Sequence, residues 1–162
     1  MKKRHIKHGF TKALFSFIGI AIVVVAVSSY FVFNRALVGP AFLVMGLILL
    51  ASLKKVFRIN IKSIYPDIGF GIIDNVVLVF TAGLGALYAG VFGAIVGGAT
   101  GDTIADGLGG IFEGQIAENQ RKYKINNART PLSTMLGKVV GCLLGAGIAL
   151  MIIWFIGILK PA

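Results

Sequence analysis

Residues 91–116 read VFGAIVGGATGDTIADGLGGIFEGQI, an apolar run that contains neither proline nor a basic side chain. A helix needs about 20 such residues to cross a hydrocarbon core of ~30 Å, so the run has membrane-spanning length. Its first half carries glycine at every fourth position, Gly93, Gly97 and Gly101, and its second half carries Asp102, Asp106 and Glu113. At 100° per residue, Asp106 falls roughly 40° and Glu113 roughly 20° from Asp102, a single stripe about 16 Å long. An ionised side chain at a bilayer centre costs ~2.5–3.5 kcal/mol on insertion scales, so this stripe must face something polar.

Working outward, four more segments have spanning length or close to it: Ala13–Phe33, Leu37–Leu53, Ile68–Leu87 and Pro131–Leu159. Lipid offers no partner to exposed backbone groups, so these segments are predicted to be helices. Asn34, Arg35 and Ala36 alone separate the first two, which makes them a tight hairpin. Pro131 suits a first helical turn. The fold class expected is all-α: a polytopic membrane protein of five transmembrane helices. It divides into a basic tail (1–12), a two-helix hairpin with a basic loop (13–65) and a three-helix membrane domain (66–160). With 57% hydrophobic residues, 22 glycines and 14% charged residues, the composition excludes a soluble globular fold.

The net charge of +10 does not point to nucleic acid, because the basic residues punctuate apolar runs. Lys2, Lys3, Arg4, Lys7, Lys12, Lys54, Lys55, Arg58, Lys62, Arg121, Lys122, Lys124 and Arg129 all fall on one side of the expected helices, and only Arg35 and Lys160 on the other. The positive-inside rule puts the amino terminus in the cytoplasm and the carboxyl terminus outside. Ala26-Val27-Ser28 resembles a signal cleavage site, but the apolar run continues through Phe33 and exceeds the usual signal core, so a spanning helix is expected. A third ligand is missing beside His5 and His8 in the tail, which argues against a metal there. Cys142 is the sole cysteine, so no disulfide framework exists.

A second glycine line, Gly137, Gly141 and Gly145, occupies the last segment. Small residues at this spacing let membrane helices approach closely, so the fourth and fifth helices are expected to pack on each other. Asp74 and Asn75 lie near the start of the third helix at the depth of the acidic stripe, and Lys138 is the only cation inside a span. Carboxylates and an amide without histidine or thiolate are the donors hard cations prefer, which makes Asp74, Asn75, Asp102, Asp106 and Glu113 the candidate cation ligands. The plainer alternative wets Asp106 and Glu113 at the membrane edge and hydrogen-bonds Asp102 to Thr100 or Thr103. No nucleophile–base pair and no phosphate loop occurs, so no enzyme is expected. An Asp74–Asp102 protease dyad fits poorly with the surplus of other acids.

Three blocks, Gly69-Phe70-Gly71-Ile72-Ile73-Asp74-Asn75, Gly101-Asp102-Thr103-Ile104-Ala105-Asp106-Gly107-Leu108-Gly109 and Leu132-Ser133-Thr134-Met135-Leu136-Gly137-Lys138-Val139-Val140-Gly141-Cys142, together resemble the transmembrane protein 65 family. The resemblance spans about residues 66–150. It implies sodium-dependent calcium efflux of the kind linked to the mitochondrial inner membrane, and points at Asp74, Asn75, Asp106 and Lys138. Asp102 departs from the asparagine the animal pattern carries there. Ala105-Asp106-Gly107-Leu108 resembles vacuolar iron transporters more weakly, since those call for methionine beside the acids. The basic tail is too soon followed by a span to be a mitochondrial presequence, so the inner membrane of a bacterium or archaeon is expected.

The function expected is therefore sodium-coupled calcium exchange. Ca2+ and Na+ are cargo, there is no prosthetic group, and membrane lipid and a second copy of the chain in a homodimer are the partners. A membrane scaffold using the glycine lines, or an exporter of magnesium, manganese or iron, is the alternative.

Overall fold

The computed structural model describes residues 2–34, 37–122 and 130–157, and every regular element in them is a helix. In chain order these are α1 (Lys2–Phe33), α2 (Val38–Lys55), α3 (Ile61–Lys122) and α4 (Pro131–Phe155). All four are long and apolar enough to cross a membrane by length and composition.

Five separate helices were expected and four elements are present, because the third and fourth expected segments both belong to α3. Within α3, Ala89 (φ −139°, ψ 24°) and Gly90 (φ 58°, ψ −138°) leave helical geometry. A positive φ with extended ψ is open only to glycine, which explains why the reversal falls at Gly90. The two arms, 61–88 and 91–122, lie back on each other: a Cβ on Gly85 would strike the Gly93 carbonyl, one on Gly97 the Thr81 carbonyl, and one on Gly101 the Thr81 side chain and Leu78.

Helix ends follow local chemistry. The region read as a basic tail is helical from Lys2 and continuous with α1. At ~1.5 Å per residue, the 32 residues of α1 outreach a ~30 Å core by several turns. Instead of closing on glycine, α2 ends with Arg58 in the left-handed region (φ 52°) while Ile59 N–H reaches back to the Leu53 carbonyl. Seven residues earlier than expected, α3 begins at Ile61, where Ser63 donates both its N–H and its hydroxyl to the Asn60 carbonyl. Pro66 costs one hydrogen bond near that start.

At the head of α4, Thr130 Oγ1 accepts from Ser133 N–H while Ser133 Oγ accepts from Thr130 N–H, a reciprocal cap, with Pro131 in the first turn. The helix stops at Phe155 rather than Leu159, since Gly157 takes φ 72° and its N–H bonds the Trp154 carbonyl.

The centre of the molecule is α4, which packs on all three other helices. Over half of its most apolar 18-residue window is buried, against none of the corresponding window in α1. Leu53, Ile64, Leu136 and Val140 form a fully buried cluster where the end of α2 and the starts of α3 and α4 meet.

The two glycine lines do not meet each other as expected. Both press on the first arm of α3: Gly137 on Ile64 and Asp67, Gly141 on Ile68 and Gly71, and Gly145 on Ile72 from the α4 side, and Gly93, Gly97 and Gly101 from the second arm. That arm supplies Gly71 to α4 and Gly85 to the second arm, so it is small enough on two faces to accept both lines, while α4 meets α2 through Gly147 against Gly39 and Leu43.

Candidate functional site

Hydroxyls inside the helices are satisfied locally. Ser28, Ser52, Thr81, Thr100 and Thr103 each donate to the carbonyl four residues back. That is the economical arrangement where no water competes. It also commits the hydroxyl protons of Thr100 and Thr103 to Val96 and Ala99 rather than to Asp102.

Asp74 is different. Gly71, one turn before it, lies so close to α4 that an added Cβ would stand 2.6 Å from the Lys138 carbonyl and 2.9 Å from Cys142 N. This approach turns the next turn of α3 toward α4. Asp74 Oδ1 is buried there without a hydrogen-bond partner, and the charges of Asp106, Asp102 and Lys138 all bear on it. Next to it in sequence, Asn75 lines a groove together with Lys138 and Cys142.

On the second arm, Gly101, Ala105 and Gly109 face inward, and Asp102 and Asp106 follow the first two of these by one residue, on an exposed flank. Neither carries an ion pair among the described residues.

Glu113 is held apart from the other acids. Its Oε1 lies 3.1 Å from Lys138 Nζ, and the same ammonium sits 4.8 Å from the centroid of the Phe70 ring. Gly109 makes room for that ring, since any Cβ there would overlap it. Lys138 is thus fixed between a carboxylate and an aromatic face. The stripe, whose own segment holds no basic side chain, has a cationic partner from α4 at its Glu113 end.

Of the five candidate ligands, the fold draws Asp74, Asp102 and Asp106 into one electrostatic neighbourhood, places Asn75 with Cys142 in one groove lining and pairs Glu113 with Lys138. Among the described residues no three His, Cys, Asp or Glu side chains stand close enough to hold a metal ion. Two participants escaped the sequence reading. Cys142 stood out only as a lone thiol. Asp67, 3% exposed beside Gly137, lay outside the expected third helix. A groove of about 350 Å³, with Asn75, Lys138 and Cys142 in a lining otherwise supplied by apolar residues of α1, α2 and α4, opens beside the site.

The three sequence blocks converge. Residues 69–75 pack on residues 132–142 through Gly71, and on residues 101–109 through Phe70. Comparison with family models, curated proteins and solved structures yields no match.

Proposed function

We propose that this chain is a membrane cation transporter in which Asp74, with Asp102 and Asp106, handles the ion. One observation carries the proposal: Asp74 Oδ1 is buried with no hydrogen-bond partner. Leaving a buried polar group unsatisfied costs about 1–3 kcal/mol, and more if it is charged, a penalty that a bound cation removes. Intramembrane carboxylates mark ion pathways by default, and an oxygen-only donor set suits hard cations. The cargo is calcium in exchange for sodium, in keeping with the resemblance to the transmembrane protein 65 family.

A single copy gathers too few ligands to cage an ion, and Asp102 and Asp106 would face lipid. A homodimer that buries these acids against a second copy answers both difficulties. Each arm of α3 crosses the membrane, which makes five crossings with the amino terminus in the cytoplasm of a bacterium or archaeon. Ala89–Gly90 then turns at the outer surface.

Purified protein in liposomes is expected to move calcium when a sodium gradient is imposed. Absence of sodium-linked flux of calcium, magnesium and manganese in folded protein would leave a scaffold built on the glycine contacts. The crossings are tested separately. Tyr88→Cys should be labelled by an impermeant thiol reagent in intact cells and Asn60→Cys should be shielded, with native Cys142 reacting slowly in both. An unlabelled Tyr88→Cys, accessible only after lysis, overturns the five-crossing arrangement.

A further inference from the structure

A second groove, of about 320 Å³, runs between α1 and α2 over Leu143 of α4 and is bounded by Gly19, Val23, Ile48 and Ser52 among others. Its walls are hydrocarbon. Ser52 Oγ, the one side-chain hydroxyl among them, already donates to the Ile48 carbonyl at 2.8 Å, so the groove offers no free donor to a polar ligand. It is also roomy, since a Cβ on Gly19 would meet no heavy atom within 4 Å. An unbranched acyl chain is the apolar ligand of this shape that a membrane supplies.

The two ends of the groove differ in charge. Gly19 and Ser52 line one end, and Val24 and Met45 the other. Continuing past Gly19 and Ser52, the antiparallel helices reach Lys12 on α1 and Lys55 at the end of α2, with Arg58 three residues beyond it, all exposed and none in an ion pair among the described residues. Lys55 follows Ser52 by ~5 Å along the axis and Lys12 precedes Gly19 by ~10 Å, so the cations sit just beyond the end of the apolar trough. Past Val24 and Met45, at the other end, residues 25–34 and 37–44 carry no charged side chain.

We infer that the α1–α2 groove is a binding site for an anionic glycerophospholipid, one acyl chain lying in the trough and the phosphate at Lys12, Lys55 and Arg58. This rests on the membrane reading alone and not on transport. Apolar burial holds the chain, and the cations select headgroup charge.

The experiment is native mass spectrometry of the full chain released from vesicles of equal phosphatidylglycerol and phosphatidylcholine. Wild type is expected to retain one phosphatidylglycerol per chain, at least tenfold over phosphatidylcholine. Filling the trough by Gly19→Phe, or independently by Ile48→Trp, should bring retention of both lipids to background while thermal stability is kept. Lys12→Gln and Lys55→Gln should each lower the preference about fivefold, which is the ~1 kcal/mol expected of one basic residue at an anionic surface. Equal retention of the two lipids by wild type, or unchanged retention when either filling variant is folded, overturns the site.

Discussion

The two sides of α4 are built by opposite means. Toward α3 it meets backbone with backbone, and Gly141 and Gly145 have no room for even a methyl group. Toward α1 it is covered thinly by branched side chains, and grooves of about 320 and 350 Å³ stay open. In lipid the hydrophobic effect does not drive helices together, so contact area between small residues must do so. The glycine side therefore supplies cohesion and fixes Asp74 in place. The α1 side leaves its grooves open.

The sharpest way to break this contrast is to enlarge Gly141. A Cβ there would stand 2.9 Å from Gly71 Cα and closer still to the Ile68 carbonyl, and neither is a side chain that can turn away. Overpacking costs about 1–3 kcal/mol where neighbours can adjust and more where they cannot, so Gly141→Leu should lose the folded species in detergent size-exclusion profiles. Gly110, with nothing within 4 Å, is the control. Gly110→Ala should gain up to ~0.8–1.0 kcal/mol of helix propensity and raise the melting temperature slightly. Equal tolerance at both positions would mean that α4 and α3 do not pack as described.

The next effect falls on Asp74, which the close side holds but does not satisfy. Asp74→Ala should lower sodium-linked calcium flux by tenfold or more while leaving thermal stability unchanged or higher, because the unsatisfied oxygen is removed. Lost stability with retained flux would make the carboxylate structural.

The smallest effect belongs to the Glu113–Lys138 pair, whose side chains are 52% and 41% exposed. Exposed pairs contribute ~0–1 kcal/mol, so Glu113→Gln should shift the melting temperature by no more than a few degrees and reduce flux only a few-fold. A loss of flux as large as that of Asp74→Ala would place Glu113 among the ion ligands despite its partner.

How much of this was legible in the sequence depended on whether the signal was local. Pro131 marks the head of α4 because a first-turn signal uses neighbouring residues only. Helical segments and the acidic stripe were equally readable from length and periodicity. Partner choice was not. Glycine at every fourth position says that a face is small, but not which neighbour it meets, and both lines proved to share the first arm of α3. The pairing of Glu113 with Lys138, residues 25 apart in sequence, and the burial of Asp74 Oδ1 depend on that shared arm, so no local pattern could reveal them.

With Ala89 and Gly90 as its only non-helical residues, α3 offers almost no polar chain to be passed across a bilayer during synthesis. Its arms are already complementary through Gly85 against Gly93 and Thr81 against Gly97, so they can zip together before either touches α4. Asp102, Asp106 and Glu113 lie on the half of the second arm away from the Ala89–Gly90 tip. An order of assembly follows from these contacts: the hairpin forms within α3, and α4, later in the chain, brings its glycine line onto the first arm at Ile64, Ile68, Gly71 and Ile72.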